Sequence, residues 1–121
     1  MVSAELPDPI NQPEAYETVT RCLVHGPCGT VNPNAPCMED GKCTKRYPRQ
    51  CNEQTCADNN GYPEYRRREN GHVFVDAKGN FIDNRWVVPH NLYLVCKYNT
   101  HINVEVSASS AYVIVTYDSC L

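Results

Sequence analysis

No apolar run in this 121-residue chain approaches the roughly 18 residues needed to cross a bilayer, which excludes a helical membrane span. The opening, "MVSAELPDPINQPEAYE", has neither the basic n-region nor the apolar h-region of a secretory leader. Lipidation signals are lacking as well: position 2 is valine, and the tail "YDSCL" leaves cysteine next to last. The expectation is an intracellular protein whose cysteines are reduced. There is no internal repeat and no low-complexity tract. There is also no glycine-rich phosphate loop of the form G-x4-G-K-[ST], so nucleotide-driven work has no site here.

Hydrophobic residues make up 41% and charged residues 21%, values ordinary for a folded chain of one domain. Charge is unevenly spread within a net of −3. Residues 1–41 carry one basic and six acidic side chains, while residues 42–68 carry seven basic and three acidic. The remainder returns to three basic and five acidic. A protein that is acidic as a whole therefore has one basic middle, and phosphate contacts are expected there.

Eight cysteines are present, six of them (Cys22, Cys28, Cys37, Cys43, Cys51 and Cys56) within 35 residues. Four side chains in "HGPCGTVNPNAPCMEDGKC" stand at metal-ligand spacing, H-x2-C-x8-C-x5-C: His25, Cys28, Cys37 and Cys43. Structural zinc takes four thiolate or imidazole ligands in a tetrahedron, and two residues between ligands let a tight turn offer both to one ion. Gly26-Pro27 supplies that bend. Residues 26–61 are rich in turn formers and poor in large apolar side chains, so this region needs a staple that burial cannot provide. Cys22 is the rival ligand, and a disulfide framework is the rival chemistry. Cys51 and Cys56, spaced C-x4-C, read as free thiols or a second half-site; Cys96 and Cys120 read as core packing.

The coarse pattern predicts an α+β fold in one partial domain. Residues 1–24 form a lead-in and a short helix, with Asn11 as N-cap, Pro13 in the first turn, and Tyr16, Val19 and Leu23 inward. Residues 25–61 form the zinc-stapled irregular region. Residues 62–121 form a small, mostly antiparallel sheet with a short helix opening after Pro89 and burying Leu92, Val95 and Cys96. Ala77-Lys78-Gly79-Asn80 reads as a hairpin turn, and "HINVEVS" as the cleanest strand. Trp86 is expected in the core.

Several polar groups are candidates for chemistry or binding. In "YPEYRRR", Tyr62 and Tyr65 offer stacking faces for unpaired bases, and Arg66, Arg67 and Arg68 offer bidentate phosphate contacts. Strand alternation puts Arg66 and Arg68 on one side and Arg67 on the other, with Glu64 and Glu69 as balancing charges. Lys42, Lys45, Arg46 and Arg49 extend the same basic zone. On a strand, His101 and Glu105 share a face and could ligate Mg²⁺ or Mn²⁺.

The strings "VSAELPDP", "VHGPCG", "NPNAPCMEDGKCTKRYP", "GYPEYRRR" and "DNRWVVPHNLYLVCKYNTHINVEV", in that order, resemble the Helitron-type rolling-circle transposon protein over residues 2–106. That resemblance implies a replication initiator with nuclease and helicase domains, in which a tyrosine attacks a DNA phosphodiester beside a His-hydrophobic-His metal motif. It implies single-stranded or junction DNA as partner and, in a eukaryote, a nuclear location. This chain has no His-hydrophobic-His pair, and "SASSAYVIVTYDSCL" stands where a tyrosine helix is expected. Tyr112 and Tyr117 are the remaining nucleophile candidates, but their spacing departs from the family pattern and Val113, Ile114 and Val115 favour a strand. The expectation is a zinc-containing DNA-binding accessory fragment without nicking or unwinding activity of its own. Its rivals are a partial tyrosine-dependent nicking enzyme and a zinc or disulfide protein-interaction module.

Overall fold

The computed structural model describes residues 2–98, 101–106 and 113–118, with Cys96, Tyr98 and the two latter segments defined through their backbone alone. Helix α1 (Pro13–Cys22) opens on proline in its first turn, where a missing N–H costs nothing. Its N-cap is Gln12, which makes no side-chain cap. Asn11 lies one residue earlier, in a turn closed by Asp8, whose carboxylate accepts from the backbone N–H of Ile10 at 2.8 Å and from the Asn11 amide at 2.8 Å. The expected cap is thus corrected: Asp8 organises the entry and Asn11 is one of its donors.

Ala15, Thr18 and Val19 are buried along α1, and Leu23 continues their face past its end. The helix stops at Cys22, short of Gly26-Pro27. Long-range pairing ends it there. Val24 forms an antiparallel bridge with Val87, flanked by Val88 N–H to the Leu23 carbonyl at 2.8 Å and His25 N–H to the Trp86 carbonyl at 2.7 Å.

Strand pairing is antiparallel throughout, in four two-stranded ladders among the described residues. They are β1 (Met38–Glu39) with β2 (Lys42–Cys43), β3 (Cys56–Ala57) with β4 (Pro63–Glu64), β5 (Phe74–Val75) with β6 (Phe81–Ile82), and β7 (His101–Val106) with β8 (Val113–Asp118). The α+β class with a small antiparallel sheet stands, and the strands are distributed over separate two-stranded ladders. Each of the first three has only two residues per strand, because Asp40-Gly41, the 58–62 loop and Asp76-to-Asn80 turn the chain back at once. Asp76 accepts from the N–H of Lys78 at 2.9 Å and of Asn80 at 2.8 Å, closing the predicted hairpin turn. A 3-10 turn (Asn84–Trp86) follows β6, and α2 (Leu92–Tyr98) opens on Asn91, which accepts from Leu94 N–H at 3.1 Å.

Two apolar clusters make the core. Leu6, Val19, Leu23, Val87 and Val95 form one, where α1 packs on α2. Cys28, Tyr47, Ile82 and Trp86 form the other, and Phe74 and Val88 pack against both. The segment Trp86-to-His90 is the spine between them: it bridges to residues 23–25 on one side and to Ser3 on the other, through paired 2.8 Å bonds between Ser3 and His90.

Candidate metal centre

The second cluster is the floor of the site. Residues 37–43 form a tight hairpin in which Met38 pairs with Cys43, and Asp40 and Gly41 take left-handed φ of 51° and 76° to turn it. Glycine adopts that conformation without strain, and a β-branched residue there would not. Thr44 N–H and hydroxyl both bond the Cys37 carbonyl at 2.8 Å, which locks the two cysteine-bearing arms together. Cys28 enters from the other side, ahead of Gly29, whose φ is 72° and whose N–H meets the Met38 sulfur at 3.3 Å. His25 is set by its backbone bond to Trp86, and its ring lies parallel to Tyr47 at 4.3 Å and to Trp86 at 6.3 Å.

The outcome is a convergent set. One ligand atom from each of His25, Cys28, Cys37 and Cys43 lies within 4.8 Å of every other. His25 Nε2 is 3.2 Å from Cys37 Sγ and 3.6 Å from Cys43 Sγ. With metal–sulfur and metal–nitrogen bonds of about 2.3 and 2.0 Å, the edges of a tetrahedron come to roughly 3.5–3.8 Å, so these ligand atoms stand at coordinating separation. The four residues named from spacing are brought together, and they can hold a metal ion.

Electrostatics agree with that use. Burial, and then the charges of Arg49 and Lys45, hold the His25 imidazole below its ordinary value, so it is neutral and has a lone pair to donate near pH 7. Without a cation the Cys28 thiol is pushed up to about 12, by burial first and by the neighbouring Cys43 and Cys37 next. Cys43 moves down: burial opposes its ionisation, but the backbone N–H groups of Tyr47 and Lys45 and the adjacent thiols outweigh it. Three thiols this close cannot all ionise unaided, and a dication bound among them would supply the missing charge.

Among the described side chains the other cysteines separate cleanly, and those of Cys96 and Cys120 lie outside them. Cys22 is disulfide-bonded, so the rival ligand offers no thiolate, and the expectation that every cysteine is reduced is corrected at that position. Cys28, Cys37, Cys43, Cys51 and Cys56 are free thiols. Cys51 and Cys56 join no metal-ligating group of three or more among the described side chains. Burial and the nearby carboxylates of Glu69 and Asp83 push the Cys51 thiol up.

The basic zone divides into two parts. Lys42 is exposed in β2, beside Cys43; Lys45 and Arg46 are exposed on the loop that follows it, and Arg46 N–H is tied to the Cys43 carbonyl at 3.0 Å. Arg49 is half-buried with its guanidinium over the Tyr47 ring at 4.6 Å. Tyr62 is 56% exposed, whereas Tyr65 is only 6% exposed and belongs to the packed interior. The triple arginine is mostly structural. Arg67 is 2% exposed and donates to the carbonyls of Asn84 and Val87, both at 2.7 Å, so it is corrected from a phosphate contact to a core brace. Burial pulls its guanidinium below the ordinary value, and those carbonyls satisfy it.

Arg66 and Arg68 do share a side, as alternation requires, but the charge they meet is Glu5. Arg68 forks onto that carboxylate at 2.9 and 3.0 Å, its backbone N–H adds a third bond at 2.9 Å, and Arg66 reaches the same group at 3.0 Å. Glu64 and Glu69, the expected partners, are not used. Burial opposes ionisation of Glu5, but the hydrogen bonds and charges of Arg68 and Arg66 hold its carboxyl below the ordinary range.

Three residues of the site carried no signal in the sequence: Tyr47, Glu5 and Asn84. Asn84 accepts from Leu6 N–H at 2.8 Å and donates to the Arg68 carbonyl at 2.9 Å, tying the lead-in to the arginine segment. His90 is fully buried, with one ring nitrogen on the Val88 carbonyl at 2.9 Å and the other without a partner among the described residues. The side chains of His101 and Glu105, the second-ion candidates, lie outside the described residues, as does Tyr112. Tyr117 is known through its backbone, paired with Ile102 in the β7–β8 ladder.

No family model matches this sequence, and no curated protein matches it at a significant level. No helix among the described residues is long and apolar enough to cross a membrane.

Proposed function

We propose that this chain is a zinc-stapled module that holds single-stranded DNA, the accessory segment of a Helitron-like replication initiator, and that it does no strand cutting or unwinding itself. The observation that carries the reading is the convergence of His25, Cys28, Cys37 and Cys43 within 4.8 Å. One imidazole and three thiolates in a closed set suit zinc as a structural ion, since no ligand position is left for a substrate. The zinc would order a segment that has little apolar surface of its own. The segment it orders carries Lys42, Lys45 and Arg46 into solvent, and these cations are the phosphate contacts. The Helitron assignment rests on the sequence resemblance, and the partner follows from it and from the exposed basic loop.

Metal analysis of untagged protein should return about one zinc per chain, lost when Cys28 or Cys37 is changed to serine. Binding of a fluorescent single-stranded oligonucleotide should weaken as salt rises. Changing Lys42, Lys45 and Arg46 together to glutamine should make the log–log salt slope shallower by about 2, at roughly 0.7 per phosphate contact. An unchanged slope, or no binding at low salt, would reject the DNA-holding role.

A further inference from the structure

We infer that the groove between the zinc-side loop and the β3–β4 hairpin is a seat for one unpaired nucleobase, with Tyr62 as its stacking platform. This deepens the nucleic-acid reading above and rests on it. The groove has a volume of about 190 Å³, with Arg46, Pro48 and Arg49 on one wall, Tyr62 and Glu64 on the other, and Arg67 at its base. Pockets for drug-sized ligands run about 300–1,000 Å³, so this one is on the scale of a single ring system.

Both walls are held firmly. Asp58 takes the N–H groups of Asn60 at 2.8 Å and Tyr62 at 3.0 Å on one carboxylate oxygen, and its own N–H bonds the Tyr62 carbonyl at 2.8 Å. The tip that carries Tyr62 is thereby closed on itself, and the ring is displayed at little entropic cost on binding. The opposite wall is continuous with the metal centre: His25 stacks on Tyr47, Arg49 lies over Tyr47, and Arg46 hangs from the Cys43 carbonyl.

The groove is lined by both signs, Arg46, Arg49 and Arg67 with Asp58 and Glu64. Arg67 is committed to the Asn84 and Val87 carbonyls, and Arg49 to the Lys45 carbonyl and the Tyr47 ring. Beside the Tyr62 ring, a carboxylate can accept from the exocyclic amine of a base, whereas a phosphate at the same place would meet two carboxylates. The exposed Arg46 and the nearby Lys42 and Lys45 are then placed for the phosphates outside. An aromatic face flanked by cations, with acceptors within, is the chemistry of single-stranded binding and not of duplex grip.

The test uses the full, zinc-loaded chain and two single-stranded oligonucleotides of equal length, one with bases and one wholly abasic. The expected result is about tenfold tighter binding of the base-bearing strand, in line with the stacking of one base. Tyr62→Ala should abolish that preference while leaving the abasic affinity and the zinc content unchanged, and Tyr62→Trp should restore it. Equal binding of both strands by the unaltered chain, or a preference that survives Tyr62→Ala, would overturn the base seat and leave the electrostatic reading intact. Binding to neither strand would overturn both.

Discussion

His25 and Tyr47 lie face to face, their ring centroids 4.3 Å apart and their planes 11° from parallel. The contact joins an imidazole of the candidate metal centre to the loop that follows Cys43, and the Arg49 guanidinium lies over the Tyr47 ring at 4.6 Å. Tyr47 is therefore the outer support that fixes the ligand ring. Tyr47→Ala should lower metal affinity about 10–100-fold, the usual effect of losing a ligand's second-layer partner. Competition with a chromophoric chelator measures it, and Tyr47→Phe, which keeps the ring, should retain most of the affinity.

Removal of the metal should disorder the 25–47 region more than the helical cluster. Structural zinc contributes about 10–16 kcal/mol in small fingers, far more than the few apolar contacts of the loop can replace. Hydrogen exchange before and after chelation should show protection lost first at the N–H groups of Thr44 and Arg46, while Leu23 and Val95 keep theirs.

Glu5 is a buried anion shared by two cations 61 and 63 residues away in sequence. Glu5→Ala leaves Arg66 and Arg68 facing each other without it. Both guanidinium groups are about half-exposed, so solvent offsets part of the loss, and a destabilisation of about 1–3 kcal/mol is expected in urea unfolding. Its folded carboxyl titrates below the ordinary 4.5, so the contribution is complete above that pH. It is lost as pH falls through the lower, folded value.

His90 gives stability a second acid dependence. Burial holds its imidazole below the ordinary 6.5, with the Val88 carbonyl opposing and the Arg67 charge assisting. The unfolded chain therefore binds the proton first, and stability declines as pH drops below about 6.5 toward the folded value. The zinc-loaded His90→Phe variant should show a shallower decline than the parent between pH 6.5 and 5. Metal release acts on both proteins alike, so the difference between the two curves isolates His90.

Asn84 is predicted to be intolerant of change. Its side chain satisfies Leu6 N–H and the Arg68 carbonyl, and its own carbonyl receives Arg67. Asn84→Ala leaves the buried Leu6 N–H and the part-buried Arg68 carbonyl unpaired, which should cost about 1–3 kcal/mol by thermal or urea unfolding. Asn84→Asp keeps the acceptor but loses the amide donor, and should fall between the two.

The metal ligands were legible in the residues alone because their geometry is local. A two-residue gap with Gly26-Pro27 brings His25 to Cys28, and a short hairpin turned by Gly41 brings Cys37 to Cys43, so the two halves of the set are local even though Trp86 fixes how His25 meets the others. The same holds for the Asp76–Asn80 turn, the proline at the start of α1, and the alternation that put Arg66 and Arg68 on one side. Short-range turn chemistry and strand periodicity carry that information. The length of α1, the burial of Arg67, the partner of Arg66 and Arg68 and the stack on His25 all depend on long-range pairing. They follow from the Trp86-to-His90 spine laddering with residues 23–25 and with Ser3, which selects one arrangement from many that the local pattern permits. The staple was written in neighbouring residues, and the surface it supports was settled by backbones meeting across sixty positions of chain.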